Sequence, residues 1–560
     1  MADTDVFDVI ALGSGIGGLA AALAAHEHGL RPILIEKSDQ IGGTTADSYG
    51  LIWVGGNHLM RRTGQTDSRD DIVQYMRFLG GGELSEERML ALVDHSPEVM
   101  VFYESCGIPF RLVGGIVDHY LGVAAGARSS GRTLEAELIS GHELGAWRDK
   151  VRTPKDAPYF VTAEEQYAWG GINRYSTWDQ DMVRDRRAKD MRGKGVGLVT
   201  HFTKALLARG VSIRMNAAVG GLTVEDDRVT GVRMSDGTLL RSKKGVVLAT
   251  GGYEWNADLI QDFDPIPRLQ PLSPPSSTGD GLIMGAEIGA AIRRIQNNLN
   301  LMLGFYLVPD EPSREPIQCM AGISEMCSPH TIVVNKAGQR FADESYFQSV
   351  VPALRKFDTL KHDYANLPCF LIFDRQFTSS YALAHLPAGT AVPSSVARAD
   401  TVADLAVKRH RSRGARLYRH ALQHFRGGWP RRGFPTRRDA LAAGLPFDGT
   451  ARQSKPGHAR PAAVLRHRIA PEPGHHIGGA AGRCQRSGAA PAAAPDPRSL
   501  CIRRGGGAHR AGRRISGWTE SRLRDDVQPA LRQAHAEAVT TAPGARSPSP
   551  AGPRSRPLWR

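Results

Sequence analysis

The sequence predicts an α/β protein that is built on a Rossmann-like dinucleotide-binding domain. Three observations lead to this fold class. The first residues show a strand, a glycine-rich turn, a helix and a second strand in direct succession. Of the 560 residues, 41% are apolar, 23% charged and 7% aromatic, which excludes coiled-coil, collagen-like and wholly disordered chains. The length allows about three or four average domains, or two large ones.

The predicted nucleotide-binding unit begins with the apolar strand Val6–Leu12. It continues through a glycine turn at residues 13–18 into an Ala/Leu-rich helix that ends near Gly29. The second strand, Pro32–Ile35, is followed directly by Glu36. Strand, turn, helix, strand and acid in this order form a complete βαβ unit, so the G-x-G-x-x-G pattern is far more specific here than it is alone.

The glycines of this turn each have a physical role. Gly13 permits the tight turn, Gly15 lets the backbone approach a pyrophosphate, and Gly18 lets the helix pack closely on the strand. Amide groups at the start of the helix attract phosphates. Glu36, 18 residues beyond Gly18, can accept hydrogen bonds from a ribose diol. The unit therefore predicts a site for NAD or FAD.

The cysteine pattern and the apolar runs predict a reduced, cytoplasmic protein. The six cysteines show no C-x-x-C or other metal-ligand spacing, so we expect neither a metal site nor a disulfide framework. No apolar run approaches the roughly 18 to 20 residues of a transmembrane segment. The acidic first residues lead directly into a strand, which does not resemble a secretory signal.

The net charge of +14 comes entirely from the last quarter of the chain. Residues 409–560 contain 29 Arg and 1 Lys against 8 acidic residues, a net of +22, whereas residues 1–408 carry −8. The same segment holds 16 of the 34 prolines, and stretches such as residues 474–479 and 503–507 follow neither a helical nor a strand period. Three interpretations are open: a basic tail that binds nucleic acid, an unusual domain, and a shifted reading frame.

Further motifs decide between NAD and FAD. A Gly-Gly-Thr-Thr stretch ends at Thr45, and a second strand with a small-residue turn covers residues 245–253. Thr-Gly-Asp-Gly follows at residues 278–281, and an Asn-Lys-Ala-Gly-Gln-Arg-Phe-Ala-Asp-Glu segment ends at Glu344. In this order the motifs resemble those of the fumarate reductase/succinate dehydrogenase flavoprotein superfamily, which binds FAD.

The resemblance implies both the cofactor residues and the architecture. The residues expected to bind FAD are Gly13, Gly15, Gly17, Gly18, Glu36, Lys37, Gly42, Gly43, Thr44, Thr45, Val219, Thr250, Gly251, Gly252 and Asp280. The FAD-binding domain would cover residues 1–282 and return at the C-terminus, with an α+β cap domain for the substrate inserted at residues 283–400.

The C-terminal part of that FAD domain is missing from residues 409–560 as written. A shifted frame allows residues 498–504 to encode Gly-Leu-Tyr-Ala-Ser-Gly-Glu, a motif that the family carries there, and three more family-like segments appear in the same frame. We therefore predict that this Arg/Gly/Pro-rich segment is irregular or disordered, arises from a frameshift near Lys408, and replaces the C-terminal part of the FAD domain. A nucleic-acid partner is then not expected.

Two tyrosines suggest the reaction. An Asp-His-Tyr segment ends at Tyr120 and precedes a Gly-Arg-Thr-Leu-Glu stretch at residues 131–135, and Tyr346 follows Glu344. These features are most similar to the 3-ketosteroid Δ1-dehydrogenases, which transfer protons through tyrosines. The resemblance implies Tyr120 and Tyr346 as catalytic residues, although Tyr346 lies slightly earlier than the spacing in that branch.

The expected function is FAD-dependent dehydrogenation of a carbon–carbon bond next to a ketone, by proton abstraction and hydride transfer to the flavin. The partners would be a small ketone or steroid-like substrate and a separate electron acceptor. Two alternatives stay open. One is a fumarate reductase-like reductase of an alkene acid, disfavoured because no arginine follows Glu344 until Arg355. The other is a catalytically dead, truncated flavoprotein.

Overall fold

The N-terminal βαβ unit has the predicted order and nearly the predicted bounds. In the computed structural model, strand β1 (Val6–Leu12) leads into helix α1 (Ile16–Glu27) and then into strand β2 (Pro32–Ile35). The two strands are parallel, with Leu12 opposite Ile35, so the turn after β1 and Glu36 after β2 lie at the same edge of the sheet.

The structure describes residues 6–154, 158–264, 271–293, 304–307, 310, 317–320, 325–344, 347–383, 386–405 and 462–466. All of them belong to one compact unit. The predicted catalytic residue Tyr346 lies outside the described residues.

The first half of the chain continues with short strands and with helices of five to twenty residues. The strands are β3 (Ile52–Trp53), β4 (Phe110–Leu112), β5 (Thr133–Ala136), β6 (Ile139–Ser140), β7 (Met191–Arg192), β8 (Ser212–Arg214), β9 (Val219–Glu225), β10 (Arg228–Met234) and β11 (Leu239–Leu248). The helices are α2 (Gly43–Asp47), α3 (His58–Arg62), α4 (Arg69–Gly80), α5 (Glu86–Ser105), α6 (Ala163–Ala168), α7 (Gln180–Ala188), α8 (Lys194–Ala208), α9 (Ala257–Phe263) and α10 (Asp280–Glu287). Two 3-10 segments cover Gly141–Lys150 and Ile172–Thr177.

The main sheet has six strands in the order β8-β2-β1-β11-β10-β9. Strands β8, β2, β1 and β11 are parallel to one another, and β10 and β9 continue the sheet antiparallel. Since β1 is central and both of its neighbours are parallel to it, a ligand is expected beyond its carboxyl end. The glycine turn lies at that end.

Helices α1 and α8 pack against this sheet in one hydrophobic core. Leu19, Leu23 and Leu34 are fully buried there, together with Val199 and Phe202. Burial of one such side chain contributes roughly 1.5 to 3 kcal/mol to folding. Twelve of the fifteen residues of α8 are buried, so this helix runs through the interior and its first residue, Lys194, is buried too.

A second set of elements follows in the latter part of the chain. Its strands are β12 (Gly304–Leu307), β13 (Ile317–Met320), β14 (Thr331–Val334), β15 (Phe357–Asp358), β16 (Asp363–Tyr364), β17 (Phe370–Asp374), β18 (Ala397–Ala399) and β19 (Ala462–Arg466), and its helices are α11 (Phe347–Leu354) and α12 (Arg375–Ser380). Strands β14, β17, β19 and β18 form an antiparallel sheet in that order. This mixed α/β structure follows the main sheet, as the predicted fold class requires, and the domain boundaries at 282 and 400 remain predictions.

One strand comes from the segment that the sequence predicts to be irregular. Within residues 409–560 the structure describes only β19, which lies between β17 and β18, with Val464 opposite both Ile372 and Ala397. Ala-Ala-Val-Leu is a short apolar run of the kind that a central strand needs, and the surrounding charge and prolines obscured it at the sequence level. The frameshift stays a prediction.

Within the described part of the chain, no helix has both the length and the apolar character that crossing a membrane requires.

Candidate functional site

The turn between β1 and α1 is built so closely that two of its glycines are irreplaceable. Gly13 has a φ of +92°, and a Cβ atom there would lie 2.4 Å from the Ala249 carbonyl oxygen. A Cβ atom on Gly18 would lie 1.8 Å from the Gly13 carbonyl oxygen. The turn therefore packs on itself and on the end of β11, as the predicted roles of both glycines require.

An open cleft of about 250 Å³ lies beyond this turn. Twelve of the residues predicted to bind FAD line it: Gly13, Gly15, Gly17, Glu36, Lys37, Gly43, Thr44, Thr45, Val219, Thr250, Gly251 and Asp280. Segments that are far apart in the sequence thus converge on one site.

Three of the predicted residues do not line the cleft. Gly18 faces the packing contact described above. Gly42, at a φ of +120°, faces Ala46 and Val199, where a Cβ atom would lie within 3.3 Å of either side chain. The backbone of Gly252 accepts a hydrogen bond from the Gly279 amide at 2.9 Å and so fixes the loop before α10. These three glycines therefore support the segments that line the cleft and do not line it themselves.

Glu36 is held by a serine that the sequence analysis did not single out. Its Oε2 accepts hydrogen bonds from the Ser14 amide at 2.9 Å and from Ser14 Oγ at 2.6 Å, and its Oε1 accepts one from the Ser38 amide at 2.8 Å. Ser14 Oγ in turn accepts a hydrogen bond from the Gly42 amide at 3.1 Å. Ser14 therefore ties the glycine turn, the acid and the Gly-Gly-Thr-Thr stretch together.

This network limits what Glu36 can offer a ligand. A carboxylate has about four acceptor positions, and three are taken by the protein. One position on Oε1 is left for a ribose hydroxyl. Ser14 lies between Gly13 and Gly15 in the glycine pattern. A hydroxyl residue at that position is the signal that could have revealed its role.

Lys37 and Asp280, which both line the cleft, are paired with each other. Lys37 Nζ donates to Asp280 Oδ2 at 2.8 Å and to Thr278 Oγ1 at 2.6 Å. Thr250 Oγ1 accepts a hydrogen bond from the Gly281 amide at 2.9 Å, at the start of α10. These contacts explain why the Thr-Gly-Asp-Gly motif and the small-residue turn after β11 belong to one site.

The residues present suit FAD. The floor of the cleft is the side-chain-free backbone of Gly13, Gly15 and Gly17, where a diphosphate can approach the start of α1. Thr45 Oγ1 accepts a hydrogen bond from the Ile16 amide at 3.0 Å, which holds α2 beside that helix start. Among the described residues, no group of His, Cys, Asp or Glu could hold a metal ion.

The Glu36→Gln variant is expected to bind FAD roughly ten- to a hundredfold more weakly. If the amide oxygen keeps the hydrogen bonds of Ser14, an NH₂ group replaces the Oε1 acceptor that is left for the ribose hydroxyl. The FAD complex then loses a hydrogen bond to a charged group, which is worth about 1.5 to 3 kcal/mol. Titration of the apoprotein with FAD measures this. Asp39→Asn, with the same change of charge two residues beyond Lys37, is the control, and equal affinities of the two variants would contradict the role of Glu36.

The segment that carries Tyr120 is fixed by a buried ion-pair network. Arg132 is only 1% exposed, binds Asp67 through two hydrogen bonds of 2.8 Å, and donates to Asp118 Oδ2 at 2.6 Å. Trp53 Nε1 donates to Asp118 Oδ1 at 2.7 Å. The ion pair between Asp118 and Arg132 therefore joins residues 118–120 directly to residues 131–135.

Tyr120 itself stands apart from the cleft. It adopts a φ of +62°, which is uncommon for any residue other than glycine, and its ring packs edge-on against Phe78 at a centroid distance of 5.4 Å. It does not line the cleft at the glycine turn. The segment of Tyr120 is thus anchored through Asp118 to Arg132 and to Trp53 of β3.

Comparison with known proteins places the chain among flavoproteins. The family described as FAD binding domain matches residues 8–473. The 4-oxocyclohexanecarboxylate 2-dehydrogenase of Sinomonas cyclohexanicum is 32% identical over 412 residues, which are 72% of this chain and 70% of that protein. The 3-oxosteroid 1-dehydrogenase of Mycolicibacterium smegmatis is 28% identical over 449 residues, 72% of this chain and 74% of that protein.

A solved structure shares the fold. The 3-ketosteroid Δ1-dehydrogenase of Sterolibacterium denitrificans, in complex with 1,4-androstadiene-3,17-dione, superposes with a TM-score of 0.68 at 24% identity. The match covers 82% of this chain and 87% of that one.

Proposed function

Because this chain belongs to the FAD binding domain family and is an FAD-dependent oxidoreductase, we propose that it dehydrogenates the carbon–carbon bond next to the ketone of a cyclic substrate. One carbon loses a proton to a protein base and its neighbour loses a hydride, so a carbon–carbon double bond forms. Bound FAD supplies the two-electron acceptor. A separate electron acceptor must then reoxidise the flavin.

The observation that carries this proposal is the agreement between the relatives and the site. The two curated relatives bear the names of dehydrogenases of very different molecules, a small oxo acid and a steroid, which share a ketone on a ring. Each match covers 72% of this chain. A ketone is also what the chemistry requires, because it acidifies the carbon–hydrogen bonds beside it.

Tyr120 is the described residue that best suits the proton-transfer role. Its segment is anchored by Asp118 on Arg132 and, one residue later, by a hydrogen bond between the His119 backbone and Tyr75. Burial and the nearby Asp118 charge raise the pKa of Tyr75, so that this neighbour stays protonated and neutral. A base whose segment is anchored by such hydrogen bonds needs little reorganisation when the substrate binds.

The alternative, reduction of an alkene acid, finds less support. Such a substrate needs arginines free to bind a carboxylate pair. Arg355 is the first arginine after Glu344 in the sequence. Its Nη2 donates to Asp264 at 2.7 Å, and its side chain is 12% exposed. Arg340 is paired with Glu344. Both arginines are thus engaged by protein carboxylates.

The Tyr120→Phe variant is expected to retain FAD but to lose roughly 10²- to 10⁴-fold in the rate of flavin reduction by a cyclic ketone. Anaerobic mixing of the FAD-loaded chain with 4-oxocyclohexanecarboxylate or a 3-ketosteroid measures this rate through the loss of flavin colour. The control is Tyr103→Phe, whose hydroxyl donates to the Ala20 carbonyl at 3.1 Å, away from this segment. An unchanged rate in Tyr120→Phe would remove the proposed role of Tyr120.

The same preparation separates the two reactions. If the reduced protein is reoxidised by fumarate while no ketone bleaches the oxidised protein, the ketone proposal is wrong.

We further propose that the protein works in the cytoplasm, where the free thiols of Cys106, Cys327 and Cys369 stay reduced.

A further inference from the structure

A lysine is buried beside the Gly-Gly-Thr-Thr segment and has no role in the site described so far. Lys194 begins α8, is 5% exposed, and adopts a φ of +53°. Its backbone packs against Gly50, where a Cβ atom would lie 2.4 Å from the Lys194 carbonyl carbon. Lysine is rarely buried without a partner, and this backbone conformation favours glycine, so the side chain itself requires an explanation.

Among the residues that the structure describes, most of the hydrogen-bonding capacity of Lys194 is unused. An ammonium group has three N–H donors, and one of them meets Gln166 Oε1. Within the described ranges, no carboxylate lies within 4.0 Å of Nζ. Burial lowers the pKa of Lys194 to about 7, against the weaker opposing attraction of the more distant Glu135 and Glu165.

The side chains around Lys194 are polar or aromatic. Nζ lies 5.1 Å from the centre of the Tyr49 ring, and Gln166 Nε2 donates to the Tyr49 hydroxyl at 2.8 Å. Tyr167 stacks on Tyr49 at a centroid distance of 6.4 Å. Lys194 and Gln166 are buried, whereas both tyrosines are half-buried and so have part of their surface in contact with solvent.

Lys194 and Tyr49 are connected to the cofactor cleft through the segment that follows Thr45. Tyr49 follows Thr45, which lines the cleft, by four residues, and the Gly195 amide donates to the Ser48 carbonyl at 3.2 Å. The charged and titratable groups that act on Lys194 or Tyr49 from the elements around them are Glu135, Glu165, Tyr167 and the buried Glu325.

We propose that Lys194 binds the carboxylate of the substrate, and that the substrate is therefore a cyclic keto acid rather than an uncharged ketosteroid. The inference rests on the proposed function for the ketone. A buried ammonium with two unused donors and no close counter-ion gains most from an anion that accepts both hydrogen bonds. The half-buried rings of Tyr49 and Tyr167 offer an apolar wall for a small ring.

The test uses a carboxylate that has no ketone, so the proposed dehydrogenation cannot occur. Cyclohexanecarboxylate and its uncharged analogue cyclohexanecarboxamide are titrated into the FAD-loaded full chain, and the perturbation of the flavin spectrum gives both Kd values. We expect Lys194→Met to weaken binding of the carboxylate roughly ten- to a hundredfold and to leave binding of the amide unchanged. Since only the ammonium form attracts the anion, the wild-type Kd for the carboxylate should rise as the pH increases above 7.

The control is Lys204→Met, on the same helix, whose side chain is half exposed and pairs with Glu143. Methionine in place of a buried, partly neutral lysine should preserve folding, and retained FAD and the thermal midpoint verify this. If Lys194→Met does not fold, Lys194→Gln serves in its place. A carboxylate Kd that is equal in wild type and variant overturns the inference, and so does an equal loss for the carboxylate and the amide.

These outcomes are independent of the proposed oxidation. If cyclohexanecarboxylate binds through Lys194 but no cyclic ketone reduces the flavin, the dehydrogenase proposal fails and the anion site stands. If 4-oxocyclohexanecarboxylate reduces the flavin equally well in wild type and in Lys194→Met, the dehydrogenase proposal stands and the anion site fails.

Discussion

Gly18→Ala is expected to leave the protein unable to bind FAD and to lower its thermal midpoint strongly. Alanine normally stabilises a helix relative to glycine, by roughly 1 kcal/mol. Here the new methyl group would lie 1.8 Å from the Gly13 carbonyl oxygen and 3.2 Å from the Leu34 side chain. Because a backbone carbonyl in a tight turn cannot move aside, α1 must shift away from β1, at a cost at or above the roughly 3 kcal/mol that overpacking usually reaches.

Gly17→Ala is the matched control for this substitution. It adds the same methyl group one residue earlier in α1, where the nearest atom is the Ala249 Cβ at 3.3 Å. Since Gly17 lines the cleft, the two variants are compared by the thermal unfolding of the apoproteins. A Gly18→Ala apoprotein as stable as Gly17→Ala would mean that the turn is not packed as described.

Arg132→Leu is expected to destabilise the protein by about 3 to 5 kcal/mol, because it removes the close charged partner of the buried Asp118 and leaves Asp67 with the more distant Arg128, at 3.8 Å. The side chains of Asp67 and Asp118 are 0% and 3% exposed. The variant should also slow flavin reduction, since Asp118 anchors the segment of Tyr120. Chemical unfolding and anaerobic flavin reduction measure the two effects.

Two further variants test whether the buried charge causes the loss of stability in Arg132→Leu. Arg69→Leu breaks the exposed pair with Asp94, whose members are 54% and 40% exposed, and should leave stability unchanged within error. Adding Asp118→Asn to Arg132→Leu removes one orphaned charge and should restore part of the lost stability. If the double variant is no more stable than Arg132→Leu, the buried charge is not the cause.

The nucleotide-binding unit could be predicted almost residue by residue because its signals are local. The strand Val6–Leu12, the glycine turn and Glu36 lie within one short stretch, and the physical requirements of the turn determine which residues can occupy it. The hydrogen bonds of Glu36 were less predictable. Ser14 takes two of the acceptor positions that the pattern assigned to a ribose, and only the folded turn brings Ser14 to the acid.

Long-range pairing explains most of what the sequence could not reveal. Arg132 and Asp67 are 65 residues apart, and nothing in either local pattern indicates that one pairs with the other. Lys194 looks like an ordinary surface lysine in a Gly-Lys-Gly stretch, because burial depends on how α8 passes through the core. Tyr120 could be selected by resemblance, but its left-handed backbone and its distance from the cleft could not be predicted.

Of residues 409–560, the structure describes one short stretch. Charge and proline content predicted an irregular segment, and the one part that the structure describes, β19, is an internal strand of a sheet. The frameshift near Lys408 therefore remains a prediction about the gene. An uninterrupted frame at codon 408 in several independent nucleotide reads would contradict it.

The central claim is that the chain holds FAD and uses it to desaturate a cyclic ketone. A single-turnover experiment tests this most directly: the purified chain with bound FAD is mixed without oxygen with 4-oxocyclohexanecarboxylate, and both the reduced flavin and the product are quantified. We predict that the flavin loses its colour and that one conjugated, unsaturated ketone forms for each flavin reduced. Bound flavin that stays oxidised in the presence of this ketone and of a 3-ketosteroid would contradict the claim.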